Sequence, residues 1–160
     1  MTCQVPLTQG QFALIDEQDA DLILPHRWFA LRDGHTYYAN RKSPTVDGKR
    51  TRIHMHRVIL DAPVGMDVDH RDGDGLNNTR ENLRLCSRSQ NMMNQRLKGG
   101  TSQFKGVHWR KKCAKWQARI QINGKRISLG HFIDEIEAAR AYDTAARELF
   151  GEFSRTNFGA

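Results

Sequence analysis

The sequence predicts an α+β protein in two parts, and three observations carry that prediction. The β-rich segments are all short, Gly-containing turn signals punctuate them, and the one long amphipathic helix comes at the end, over residues 134–150. A chain of 160 residues has room for two small modules. The elements follow in order. QFALID and TYYAN read as strands, with turns at Asp33-Gly34 and Asp47-Gly48. Trp28, Tyr37 and Tyr38 read as residues that pack a sheet. HMHRVIL is strongly apolar and fits either a strand or the start of a short helix. The stretch from 61 to 83 is dense in Gly, Asp and Asn and reads as loops, with Val64, Met66 and Val68 alternating ahead of Asp69. Residues 87–97 have helical spacing, with Ser87 as N-cap. Lys98-Gly99-Gly100-Thr101-Ser102 ends that helix and reads as a linker. The expected division is therefore 1–98, a linker at 99–103, and 104–160.

After the linker, VHWR, KWQARIQI and KRISLGHF read as three strands, the last two joined by the hairpin signal Asn123-Gly124. In the middle strand Trp116, Ala118 and Ile120 share an inward face, and Gln117, Arg119 and Gln121 an outward one. In the third, Arg126 and Ser128 point outward and Ile127 and Leu129 inward. His108 and Arg110 extend the polar face. On the helix, Ile136, Ala139, Ala146 and Leu149, with Tyr142 between them, mark the expected buried face, and Gly151 suits the C-cap.

Composition narrows the function classes. Apolar residues make up 38% of the chain, enough to argue for folded modules. No apolar run approaches the roughly 20 residues that span a bilayer. MTCQVPLTQGQF lacks the basic and apolar regions of a secretory signal, so a cytoplasmic protein is expected. Cys3, Cys86 and Cys113 are too far apart for an all-cysteine zinc site, and their odd number argues against a disulfide framework. The net charge of +7 is uneven: residues 84–126 hold twelve Lys or Arg and no Asp or Glu. Such a stretch attracts a polyanion, DNA or RNA, rather than a membrane, because it has no amphipathic helical pattern.

The chemistry-bearing residues gather between 56 and 94: His56, Asp69-His70, Asn77-Asn78, Asn82, Asn91 and Asn94. Phosphodiester hydrolysis needs an activated water and a stabilised leaving oxygen. A neutral His suits the first, and Asp and Asn oxygens suit a hard cation that supplies the second. The run MHRVIL…VDHRDGDGLNNTRENLRLCSRSQNMMN resembles the HNH homing endonucleases of phages and mobile introns, within the His-Me finger nucleases. The resemblance implies a ββα-metal core over about 56–97. It implies His70 as general base, Asp69 and Asn91 as ligands of a divalent ion, Mg²⁺ or Mn²⁺, and Asn82 as the residue that orients the His70 ring. Asn77 and Asn78 read instead as turn residues. His54 and His56 form a His-x-His pair of a kind that can hold zinc, but the resemblance makes His56 a core histidine.

Gly106-Val107, Trp116-Gln117-Ala118-Arg119-Ile120, Leu129-Gly130, Phe132 and Glu137-Ala138-Ala139 leading to Ala141-Tyr142-Asp143 resemble the DNA-binding domain of the plant APETALA2 and ethylene-response factors. That resemblance implies a three-stranded sheet laid in the major groove and backed by one helix. The expected contacts are His108, Arg110, Lys111, Lys112, Gln117, Arg119, Gln121, Arg126 and Ser128; Arg reads guanine and Gln adenine. The chain departs from the plant pattern at Lys111-Lys112-Cys113, so the plant target sequence does not carry over. Together the two resemblances imply a metal-dependent endonuclease acting on double-stranded DNA. One active site per chain suits nicking by a monomer or a double cut by a homodimer. The alternative is a DNA-binding regulator with an inactive nuclease region. An RNA partner is disfavoured by the lack of exposed stacking aromatics.

Overall fold

A computed structural model describes residues 1–95 and 99–159. The α+β class holds, and the chain divides into two compact units, Met1–Arg88 and Ser89–Ala160. The division falls ahead of the expected linker. The expected helix end at Leu97, and Lys98 of the expected linker, lie outside the described residues.

The first unit opens with a hairpin, β1 (Thr2–Pro6) against β2 (Phe12–Asp16). A helical turn, α1 (Ala20–Ile23), leads to an antiparallel sheet of β3 (Phe29–Asp33), β4 (Thr36–Lys42) and β5 (Arg52–His54) in that order. HMHRVIL resolves as the end of β5 followed by α2 (Met55–Ile59). A second hairpin pairs β6 (Asp67–His70) with β7 (Leu83–Cys86). Alternation places Val5, Ala13, Ile15, Ala39, Val68 and Leu83 in one core with Ile23, Trp28, Met55 and Ile59. Full burial of the Val, Leu, Ile and Met side chains among these contributes about 1.5–3 kcal/mol each. Loop 71–82 is pinned to β2 by backbone bonds, from Leu14 N to the Leu76 carbonyl (2.8 Å) and from Asn78 N to the Leu14 carbonyl (2.8 Å). Arg80 adds a fork onto the buried Asp19 carboxylate, with Nη2 at 2.7 Å from Oδ1.

α3 (Arg88–Asn94) begins at the unit boundary, and Met93 packs beside Ile120, Tyr142, Ala146 and Phe150 in a core of the second unit. That unit is a sheet of β8 (Val107–Arg110), β9 (Lys115–Ile122) and β10 (Lys125–Phe132), with β9 central, backed by α4 (Glu135–Phe150). Asn123 and Gly124 both have positive φ, as a type I′ turn requires. Asp134 caps α4 by accepting from the amides of Ile136 (2.6 Å) and Glu137 (3.0 Å).

Two expected core assignments are corrected. Ile136 and Leu149 are 46% and 44% exposed; the buried stripe is Ala138, Ala139, Tyr142, Asp143, Ala146 and Phe150. Ile136 lies about 120° round the helix from Tyr142 at 100° per residue, and in the last turn Phe150 takes the buried position next to Leu149. Ile127 is 41% exposed. It faces Ile120 across the ladder, but β10 is an edge strand with cover on one side only. Leu129 does pack inward, through a bulge: Ser128 pairs with Arg119 and Gly130 with Ala118, which leaves Leu129 as the extra residue. Gly130 has φ +133°, which favours glycine.

Candidate active site and nucleic-acid face

The chemistry-bearing residues of the first unit meet at the end of β6. Asp69 and His70 are its last two residues, 6% and 5% exposed. Asp69 faces Arg84 across the hairpin, and its Oδ2 accepts from Arg84 Nε (2.9 Å) and Nη2 (2.6 Å). Both side chains of this ion pair are buried.

Asn78 meets the His70 ring. Its Oδ1 lies 3.3 Å from His70 Nε2. The amide is oriented by its own Nδ2, which donates to the Leu76 carbonyl at 3.1 Å. An acceptor oxygen turned toward Nε2 favours the neutral tautomer protonated there, the one that leaves the lone pair on Nδ1. Asn78 is fully buried and held by backbone bonds to β2, so the N-terminal hairpin fixes the ring's partner. Asn82, expected at the ring, ties the loop instead. Its Nδ2 donates to Asp72 Oδ1 (3.0 Å) and the Asn77 carbonyl (2.7 Å), and its Oδ1 accepts from Asp72 N (3.1 Å). Asn77 Nδ2 donates to the other Asp72 oxygen at 2.8 Å. Burial works to raise the Asp72 carboxyl, but the Asp74 amide and the side-chain amides of Asn77 and Asn82 outweigh it and hold it below its usual range.

Aromatic rings also pack against the imidazole. Tyr38, His56 and His70 contact one another edge to face, and His54 stacks on His56 at 5.2 Å. Burial pushes His70 below its ordinary value, opposed by the Asn78 hydrogen bond and by Asp72, Asp69 and Asp74. Burial, reinforced by His70, His54 and Arg57, pushes His56 down to about 2, so it is a neutral core ring.

The residues fit a hard divalent cation with few protein ligands. Asp69 is a buried carboxylate beside the histidine. Its two oxygens offer about four lone-pair sites, so pairing through Oδ2 with Arg84 is compatible with holding a cation. Among the described residues no group of three or more His, Cys, Asp or Glu forms a cation cage. Asn91 lies on α3 and is counted with the second unit.

In the second unit the expected polar face forms. Cross-strand pairs set His108 beside Gln117, Arg119 beside Ser128, and Gln121 beside Arg126. Gln117 Nε2 donates to Ser128 Oγ at 3.1 Å. Arg110 ends β8, and Lys111 and Lys112 stand exposed in the turn that follows. The bulge at Leu129 also brings His131 opposite Gln117, a position that strict alternation along KRISLGHF does not give; the glycine inside the strand was the available signal. A cavity of about 430 Å³ opens beside β9, its lining including Lys105, His108, Arg119, Gln121 and Arg126 and no acid. Burial, with Arg155 nearby, lowers Lys105 to about 8 against the pull of Asp143. No described helix is long and apolar enough to cross a membrane.

Comparison with known proteins adds the following. The family profile described as HNH endonuclease matches residues 54–93. Over 155 residues the chain is 29% identical to an uncharacterized HNH endonuclease of Acanthamoeba polyphaga mimivirus, covering 93% of this chain and 76% of that one. It is 34% identical over 94 residues to protein 3.8 of Escherichia phage T7, covering 58% of this chain and 77% of that protein. Over 61 residues, 37% of the chain, it is 51% identical to an APETALA2-like protein of Oryza sativa subsp. indica, of which it spans 14%.

Proposed function

Because the chain belongs to the HNH endonuclease family, we propose that it is a metal-dependent nuclease that hydrolyses phosphodiester bonds of double-stranded DNA, with His70 as the general base. The observation that carries this reading is the buried Asp69-His70 pair with Asn78 Oδ1 3.3 Å from His70 Nε2. The Nδ1 atom of His70 takes the proton from the attacking water. Asn78 holds Nε2–H and so keeps the ring from presenting the wrong nitrogen. Asn82 acts one step back, bracing the loop that carries Asn77 and Asn78. Asp69 would hold the divalent ion, Mg²⁺ or Mn²⁺, which when bound supplies charge stabilisation at the phosphate and the departing oxygen. The resemblance implies Asn91 as a further ligand.

The ββα-metal arrangement belongs to the same proposal, as does the division of labour in which residues 104–160 grip DNA and add site preference, as in a homing-type nuclease acting in the cytoplasm. The outward row of Gln117, Arg119, Gln121 and Arg126 and the acid-free lining beside it support that grip. Incubation with supercoiled plasmid, with Mg²⁺ and with EDTA, tests the reading. Nicked or linear product that appears only with Mg²⁺ is expected. Tight duplex binding with no cleavage under any divalent ion would favour a regulator instead.

A further inference from the structure

We propose that Tyr38 is a positioning residue for the general base, acting through its ring; the proposal rests on the reading of His70 as that base. The imidazole torsion of a histidine is broad and roughly two-fold, so what packs against the ring helps to set its plane. His70 Nε2 lies 3.3 Å from Asn78 Oδ1. Two rings also pack against the imidazole. Tyr38 stands 5.7 Å away at 65° and His56 stands 5.1 Å away at 89°, and these two contact each other at 5.8 Å and 73°. Each pair is edge to face, the arrangement aromatic quadrupoles prefer.

Tyr38 comes from β4, a different sheet from the hairpin that carries His70. It therefore joins two parts of the unit at the reacting ring. The loop that carries Asn78 is seated on the same tyrosine. A Cβ at Gly75 would lie 2.6 Å from two Tyr38 ring carbons and 2.5 Å from the Tyr37 carbonyl oxygen, so the loop closes with no side chain between. Gly75 N donates to Thr36 Oγ1 at 3.0 Å, which latches the loop to the start of β4. One aromatic side chain thus sets both the plane of the base and the seat of the asparagine that fixes its tautomer. No hydrogen bond of the Tyr38 hydroxyl occurs among the described residues, which assigns the role to the ring.

The test compares Tyr38→Leu and Tyr38→Phe in the full chain, by single-turnover cleavage of a plasmid at saturating protein with Mg²⁺. Leucine should lower the rate about tenfold or more, part of the roughly 10²–10⁴-fold that a general base supplies, while plasmid affinity stays within about twofold. Phenylalanine should recover most of that loss. In a His70→Ala background the leucine substitution should cost nothing further, because Tyr38 acts through His70. Tyr38→Met replaces Tyr38→Leu if the latter does not fold, as judged by circular dichroism. Imidazole ¹⁵N spectra give a readout independent of cleavage: one Nε2–H tautomer of His70 in the wild type and in Tyr38→Phe, a mixture in Tyr38→Leu. A phenylalanine variant as slow as leucine, a leucine effect that persists without His70, or an unchanged tautomer would each overturn the proposal. A His70→Ala protein that cleaves normally while the tautomer result holds would sink the base assignment and leave the positioning intact.

Discussion

Acidification should destabilise the first unit through His56. Its ring is buried among His54, His70, Tyr38 and Arg57, and its Nδ1 is buried with no hydrogen-bond partner. Its proton affinity falls from 6.5 in the unfolded chain to about 2 in the fold. The unfolded state then binds a proton below pH 6.5 that the native state refuses, so stability falls as pH falls from 6.5 toward 2. The slope is about 1.4 kcal/mol per pH unit, which amounts to about 2.7 kcal/mol lost by pH 4.5. His54 and His70 shift in the same direction and add to the loss. Urea unfolding at pH 7.5, 5.5 and 4.5 measures this through Trp28, which lies in the core of this unit, with Trp109 and Trp116 changed to Phe. His56→Phe keeps a ring in place and removes the titration. The wild type should lose about 2.7 kcal/mol more than the variant between pH 7.5 and 4.5. Parallel loss in the two proteins would refute the reasoning.

Arg84→Ala removes the buried cation that faces Asp69 across the hairpin and should destabilise the first unit, by up to about 3–5 kcal/mol, as read from the same urea titration. Because burial lowers the proton affinity of His70, the acid limb of the cleavage rate should lie below pH 6.5; a limb above 6.5 would remove His70 as the titrating base. Arg119→Ala should cost about 1–3 kcal/mol in binding and relax preference at one base pair if it reads a base, as measured by competition between duplexes. Lys111→Ala should weaken all duplexes alike and reduce the log-log salt slope by about 0.9.

The parts of the fold set by local chemistry could be read from the chain. Asn123-Gly124 specified its hairpin, and the two-residue period of KWQARIQI assigned its faces correctly. The departures arose where long-range packing decides. In KRISLGHF only Gly130 hints at a bulge, without fixing that the pairing skips Leu129, and Ile127 gives no sign of lying on an edge strand. On α4 the spacing of large apolar residues pointed to Ile136 and Leu149, whereas the helix meets the sheet through alanines and Tyr142. At the site, Asp69 and His70 stood out because an acid-His pair beside several asparagines has few structural uses. Choosing among the asparagines needed three dimensions. Asn78 reaches His70 because β2, more than sixty residues earlier, grips its backbone, and that grip leaves no mark in the local sequence. Tyr38 read as a sheet-packing residue; its contact with His70 depends on how β4 and the β6–β7 hairpin come together.

The measurement that bears most directly on the central claim is single-turnover DNA cleavage by His70→Ala beside the wild type, with affinity measured on the same duplex. If His70 is the general base, the variant should cut about 10²-fold or more slowly in Mg²⁺, with affinity within about twofold. A variant that cuts at the wild-type rate would contradict the account; a variant that also fails to bind would place His70 in recognition rather than in chemistry.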